Sequence, residues 1–479
     1  MGVIMTSSLP YDKTSKESIL EYARQLLGKS LAEVHPEINL AEGLKKAGKG
    51  GFGQSVEEIH FLFKNNSISE PDFIEAGVEL KSTPLKILKE GSYVSKERLV
   101  LNIIDYISEA SKQFNTSSFW KKNKLLLLMF YLHVANKCAF EYIFKIIRLW
   151  SIPKEDLKIF VDDWTIIHDK ISKGLAHELH GGDTLYLEAC FKGSSSGAEM
   201  RSQPKTQIKA QQRAYAIKSA YLNQIILDSM THPEMVNGMV MTKKQREKID
   251  KKKAEFGSIF DTKQLTKSEK TFEELVVDKF KRYYGKTVSE ISEDLGVALS
   301  RSPKALSYQL CRAILGVKER RIAEFEKSDL MLKTIRLEHN GRLKEAMSFS
   351  QIRYKEIINE EDWMESAWYR ILTHRFFFVV FRKKKGGSDY DATLEKVFFW
   401  AIPFCDLEKA KDYWIDTRDK VRIGDYDNFM KTTDHDVCHV RPKAKNSFDM
   451  TETPQGGQAR KLCYWLNRDY ILNVVNGVR

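Results

Sequence analysis

What the chain lacks narrows its class first. Its six cysteines (Cys138, Cys190, Cys311, Cys405, Cys438 and Cys463) are scattered, and no two form a CxxC pair. That spacing excludes a zinc ribbon and argues against a disulfide framework, so they read as reduced thiols of a cytoplasmic protein. The longest apolar run, around Leu125 to Tyr131, is far short of the roughly 20 residues a spanning helix needs. No membrane partner is expected. The N-terminal stretch MGVIMTSSLPYDKTSKES has neither a basic start nor an apolar core, so no signal peptide is expected. The Lys/Gly loop from Lys45 to Gly53 is not followed by Gly-Lys-Ser/Thr, which weakens a P-loop reading. Its backbone amides and Lys49 could still touch a DNA phosphate.

What the chain has is positive charge. Lys and Arg number 77 against 65 Asp and Glu, a formal net charge of +12. Such a balance points to a polyanion, with nucleic acid favoured over an acidic membrane. Hydrophobic content of 42% and charged content of 30% fit a soluble globular protein, and 479 residues leave room for two or three domains.

The most informative stretch is PDFIEAGVELKSTP, Pro71 to Pro84. Val78 to Thr83 reads as a strand after a turn at Gly77. Side chains two apart share a face, so Glu79 and Lys81 point together with Leu80 opposite. Asp72 can fold back beside Glu79. Hard Mg2+ takes carboxylate and carbonyl oxygens and keeps waters and phosphate oxygens as further ligands. Asp72, Glu79 and the Leu80 carbonyl could hold it, and Lys81 could orient the attacking water and stabilise the transition state. The competing reading is an amphipathic strand with a solvated Glu/Lys face.

The whole run closely resembles the active-site stretch of MutH-like endonucleases, which have the PD-(D/E)xK nuclease fold. The family includes the mismatch-repair nickase MutH and the restriction enzymes that cut GATC. By this resemblance Asp72, Glu79 and Lys81 are the catalytic triad. Lys49 to Glu57 resembles the family's K-G-x-x-G-x-x-x-E segment, which implies that Glu57 is a further active-site carboxylate. Thr116-Ser117 followed by Lys122 resembles another family segment and implies that Lys122 lies near the active site.

Around this stretch, Ser15 to Leu31 shows helical spacing and Val56 to Phe63 reads as a helix carrying Glu57 inward. Arg98 to Tyr106 and Lys124 to Phe130 read as strands flanking the active-site strand. Glu155 to Gly174 reads as a helix, and Tyr186 to Lys192 as a strand leading into the loop Gly193 to Gly197. Gln207 to Leu227 reads as a long helix presenting Lys209, Arg213 and Lys218. Lys192, Gly193, Arg213 and Lys218 are candidates for DNA contact, against the alternative of a solvated basic face. Thr242 to Lys253 is a charge run that reads as an exposed linker.

The chain also repeats itself. Gly28-Lys-Ser-Leu-Ala-Glu33 matches Gly285-Lys-Thr-Val-Ser-Glu290, Trp164 with Asp169-Lys170 and Gly174 matches Trp414 with Asp419-Lys420 and Gly424, and Tyr215 and Tyr221 match Tyr464 and Tyr470. In the second copy Met331 stands for Glu79, Lys333 for Lys81, Glu324 for Asp72 and Thr373 for Lys122. A thioether cannot hold Mg2+ as a carboxylate does, so the second copy has lost its metal site. Arg441-Pro-Lys443-Ala-Lys445-Asn446 resembles the RPKA segment with which MutH-like nucleases read GATC. That implies DNA contact by Arg441, Lys443, Lys445 and Asn446, against an ordinary basic turn. Trp465 and Ala216 fall where the family has a recognition Tyr, so both depart from its pattern. A metal site at His435, Asp436 and His439 is disfavoured for want of a compact fourth ligand.

The expectation is therefore an α/β chain of two MutH-like domains in tandem. Residues 1–232 form the catalytic domain, 233–272 a basic linker, and 273–479 a degenerate DNA-binding and allosteric domain. The layout resembles type IIE restriction enzymes, which implies an Mg2+-dependent endonuclease acting on double-stranded DNA at GATC. Two copies of DNA would bind per chain, to a protein monomeric in solution or dimeric on DNA. The alternatives are a mismatch-repair nickase with an added regulatory domain and a DNA-binding module whose carboxylates are structural.

Overall fold

The computed structural model describes residues 9–45, 51–63, 70–192, 199–236, 243–298, 303–443 and 449–478. Its first half has strands β1 (Glu79–Ile87), β2 (Tyr93–Ser95), β3 (Leu99–Ile103), β4 (Leu126–Leu132), β5 (Phe144–Trp150), β6 (Leu187–Phe191), β7 (Met200–Arg201), β8 (Ala210–Gln211) and β9 (Arg213–Ile217). One sheet has the order β2-β1-β4-β5, with β1 and β4 parallel. Leu126 to Phe130 is fully buried, as a strand covered on both faces requires, which is why it reads as an unbroken apolar run. Each such side chain contributes roughly 1.5–3 kcal/mol of burial before chain entropy is counted. A second, antiparallel sheet has the order β3-β9-β6.

The helix Lys154–Ser172 buries Ile159, Phe160, Trp164, Ile167 and Ile171, a stripe at helical spacing. Asp163 on the same face accepts the backbone N–H groups of Leu185, Tyr186 and Leu187 at 2.7, 2.6 and 2.9 Å. Those bonds anchor the entry to β6.

A short parallel pair, β10 (Phe256–Gly257) and β11 (Arg321–Ile322), precedes the second half. There β12 (Met331–Leu337), β13 (Met347–Gln351), β14 (Phe376–Arg382), β15 (Thr393–Trp400), β16 (Cys438–Pro442), β17 (Met450–Glu452), β18 (Gln458–Arg460) and β19 (Leu462–Leu466) repeat the pattern. The order β12-β14-β15 matches β1-β4-β5, and β13-β19-β16 matches β3-β9-β6. Small bonds recur too. Gly28 N–H donates to the Phe144 carbonyl and Gly285 N–H to that of Leu394, at 2.8 and 2.9 Å. Ser30/Glu33 and Thr287/Glu290 are both capping boxes. Tyr221 Oη donates to Asp156, and Tyr470 Oη to Asp406. The internal repeat is thus a repeat of fold.

Three local expectations are corrected. Arg98 to Tyr106 contributes β3, but to the second sheet; the place beside β1 is taken by β2, which a turn at Gly91 (φ +84°) folds back onto it. Gln207 to Leu227 is not one helix. Ala214 to Ile217 are buried on both faces as β9, and the helix begins only at Ser219. The charge run is helical over Lys243–Lys253, and Lys253 pairs with Asp228 at 2.9 Å.

The two halves share a core. Trp164 and Ile167 of the first belong to one apolar cluster with Ile259, Leu265, Phe272, Phe280 and Phe377. Residues 254–272 are therefore packed as well as connecting. Lys327 closes the contact, with Nζ at 2.7 Å from Asp156, a carboxylate only 4% exposed. Among the described residues no helix is long and apolar enough to cross a membrane.

Candidate active site

The turn before β1 builds the site. Phe73 and Val78 exchange backbone hydrogen bonds of 2.9 and 3.2 Å, with Gly77 at φ +65°, a conformation natural to glycine. This folds Asp72 back beside the start of the strand. Asp72 N–H donates to Glu79 Oε2 at 3.1 Å, and Leu80 N–H donates to Asp72 Oδ2 at 2.9 Å. Each carboxylate is thereby held by the other's strand segment.

Glu79 is 1% exposed and takes two lysines. Lys81 Nζ donates to Oε1 at 2.6 Å, and Lys122 Nζ lies 3.5 Å from Oε2. Lys122 also donates to the Glu70 carbonyl at 3.0 Å. It sits in the helix Ser118–Asn123, which Ser117 caps by accepting Trp120 N–H at 3.1 Å. Burial pushes the Glu79 carboxyl up; Lys81 and then Lys122 oppose this, while Asp72 reinforces it.

Glu57 completes the group electrostatically. Burial, then the Asp72 charge, push its carboxyl up to about 7, with Lys81 opposing and Glu79 adding to the rise. The expected helix around it is an α-helix, Gly51–Ser55, that opens into a π-turn, Val56–His60. Such a bulge re-aims side chains and is frequent at functional sites.

Sequence reasoning missed what holds this turn. His60 Nε2 hydrogen-bonds the Tyr22 carbonyl and Tyr22 Oη donates to the His60 carbonyl, both at 3.1 Å. Their rings stack at 4.4 Å. Tyr11 Oη donates to the Phe61 carbonyl at 2.7 Å. These contacts lie some 40 to 50 residues apart in sequence, and no local motif signals them.

The donor set fits a hard divalent ion. Asp72 and Glu79 stand together at the start of β1, and the buried charge of Glu79 is balanced here by ammonium groups. Among the described residues no three His, Cys, Asp or Glu side chains could by themselves hold a metal. A site of two carboxylates and a carbonyl, completed by water and phosphate, matches how Mg2+ is usually bound.

The second half has different residues at these places. Met331 pairs with Phe376 as Glu79 pairs with Leu126, so the thioether occupies the register position of the carboxylate. Glu324 is buried against Ser258 and the Ile259 N–H rather than beside Met331. Lys333 lies over the Phe349 ring at 4.7 Å. His435 and His439 hydrogen-bond to Val437 N–H and Asn467.

Of the residues expected to meet DNA, Lys49, Gly193, Lys445 and Asn446 lie outside the described residues. Lys192 is exposed at the end of β6. Arg441 and Lys443 are exposed; the Arg441 guanidinium stacks 3.9 Å over Trp465, and Lys443 donates to Ser348 Oγ at 2.6 Å. Arg213 and Lys218 are corrections. Arg213 is 2% exposed, stacked on Phe191 at 3.8 Å and donating to the Ala189 carbonyl. Lys218 Nζ donates to the Gly181 and Thr184 carbonyls at 2.7 and 2.5 Å. Both cations are engaged inside the fold because their segment is a buried strand and its exit, not a solvated helix face.

With Asp72, Glu79 and Lys81 gathered at a turn and strand, the geometry is that of a PD-(D/E)xK nuclease. The family model for the DNA mismatch repair enzyme MutH matches residues 61–163, which include Asp72, Glu79, Lys81 and Lys122. The type II restriction enzyme Sau3AI of Staphylococcus aureus is 32% identical over 95% of this chain and 93% of its own length. The DNA mismatch repair protein MutH of Vibrio campbellii is 24% identical over 44% of this chain and 93% of its own length. The chain belongs to the MutH-like type II restriction endonucleases.

Proposed function

We propose that residues 1–232 hydrolyse phosphodiester bonds of double-stranded DNA at GATC with Mg2+. Residues 273–479 then bind a second copy of the site as effector, and 233–272 join the two. The observation that carries this reading is the asymmetry of the paired strands: Glu79 and Lys81 stand on β1 with Asp72 folded back beside them, while Met331 and Lys333 stand on β12 with no carboxylate beside them among the described residues. When bound, Mg2+ would supply Lewis-acid polarisation of the phosphate and a bound water more acidic than bulk water. Asp72, Glu79 and the Leu80 carbonyl would hold it. Lys81, released from Glu79, would orient the attacking water and offset charge developing on the phosphate. Lys122 holds the Glu70 carbonyl and so fixes the approach to Asp72. Glu57, partly protonated near pH 7, can exchange a proton at the edge of the site.

GATC is supported by the RPKA-like Arg441 to Lys443 edge and by the relatives' family. One complete site per chain cuts one strand at a time, so a double-strand break calls for two chains on one site or two sequential nicks. A cytoplasmic monomer that pairs on DNA fits this. The test is supercoiled plasmid carrying GATC with Mg2+. Linear product is expected; open circle alone would favour a nickase, and unchanged plasmid a non-catalytic DNA-binding module.

A further inference from the structure

In the first half every lysine of the site answers a carboxylate: Lys81 and Lys122 both face Glu79. In the second half the lysine remains and the carboxylate is gone. Strands β12, β13 and β19 contain no Asp or Glu, and neither does the segment from Val437 to Phe448. Around β13 three cations gather. Lys333 Nζ sits over Phe349, Lys443 Nζ bonds the adjacent Ser348, and Arg441 and Lys443 both lie over Trp465, at 3.9 and 5.8 Å. Among the described residues none of the three makes an ion pair with a carboxylate.

Burial, then the nearby Lys443, lower the affinity of Lys333 for its proton. A half-buried ammonium facing another cation is unfavourable on its own, because like charges in a partly desolvated site repel. An anion relieves that cost. A divalent cation would add to it, and no carboxylate is there to bind one.

We propose that this remnant of an active site is a metal-free phosphate cradle. Lys333, with Lys443 and Arg441, holds one backbone phosphate of the second DNA duplex where the first half would present the scissile phosphate to Lys81. The inference rests on the effector reading above and adds to it a ligand atom, a residue and a metal requirement of zero. The duplex in the second half is gripped but not cut, since nothing there activates water.

The test uses the full-length protein carrying Glu79→Ala, so that DNA survives in Mg2+, and short GATC duplexes titrated by fluorescence anisotropy. Two equivalents should bind. The second should bind equally in EDTA and in Mg2+. Lys333→Met should weaken it about tenfold, the loss of one charge-assisted contact, and lower its salt slope by about one. Lys333→Arg should retain it. A duplex with one neutral methylphosphonate at the gripped position should lose as much with the parent protein and no more with Lys333→Met, which separates lost contact from lost folding.

A second equivalent indifferent to Lys333→Met, or dependent on Mg2+, or insensitive to every single methylphosphonate, overturns the cradle while leaving the effector reading in place. Binding of one duplex only overturns both.

Discussion

Two strands of the same fold, β1 and β12, carry the same lysine and differ in the residue two before it. Beside Glu79, 1% exposed, Lys81 is half of an ion pair. Beside Met331, Lys333 rests on an aromatic ring and faces another cation. On the reading proposed above, one carboxylate exchanged for a thioether leaves a lysine free of an ion pair and open to an anion. The adjoining sheet has diverged in parallel. Across from Ala216 on β9 stand Val100 and Glu188, while across from Trp465 on β19 stand Ser348 and His439. The first half has small buried side chains there, Cys190, Ala214 and Ala216, beside the Arg98–Glu188 ion pair; the second is aromatic and cationic. Duplication kept the backbone and divided the chemistry.

The comparison breaks most visibly if the first half survives loss of its carboxylate. Glu79→Ala is expected to lower the cleavage rate by about a thousandfold or more, because on the proposed reading it removes a ligand of the ion that stabilises the transition state. Binding in gel shift should be unchanged or tighter, because one negative charge near phosphate is gone. Near-normal cleavage would remove Glu79 from the site.

Restoring the carboxylate in the second half sharpens the contrast. Met331→Glu should pair with Lys333 and weaken the second duplex about tenfold in anisotropy titrations, without creating a nuclease, since no counterpart of Asp72 stands beside it. Tighter binding, or cleavage by Met331→Glu in the Glu79→Ala background, would contradict the assignment.

The smallest effect concerns Glu57. Its carboxyl is raised from 4.5 to about 7. Between those values the folded metal-free protein binds more protons than the unfolded chain, so this group makes stability fall as pH rises toward 7. Glu57→Gln should therefore raise the melting temperature in EDTA at pH 8 and leave it unchanged at pH 4. The gain corresponds to about 1 kcal/mol once solvent screening of this partly exposed group is allowed for. A lower melting temperature at pH 8 would show that the charged carboxylate is stabilising.

Much of this was legible in the sequence. The Pro71 to Pro84 run signalled a turn and strand, and period-two alternation put Glu79 and Lys81 on one side. The repeat was visible as offsets and holds as register, with Met331 in the place of Glu79. What failed was long-range. A basic segment such as Gln207 to Leu227 reads as a solvated helix until β6 and β3 claim its middle as a buried strand and Phe191 covers Arg213. The neighbour of β1 was misassigned because strand order within a sheet leaves no trace in local pattern. The Tyr22–His60 clamp at the end of the turn that carries Glu57 joins residues 38 apart through backbone carbonyls, which any residue supplies.

The central claim is that the first half cuts while the second responds to a second DNA. The most direct measurement is cleavage of a plasmid with one GATC site in Mg2+, with and without an added short duplex carrying the site. A ligand can raise the rate only if it favours the active arrangement over the inactive one. The duplex should speed cleavage several-fold toward the rate of a two-site plasmid, and Arg441→Ala with Lys443→Ala should abolish that stimulation. Equal rates on one-site and two-site plasmids, with no response to added duplex, would contradict the account and leave the second half as scaffold.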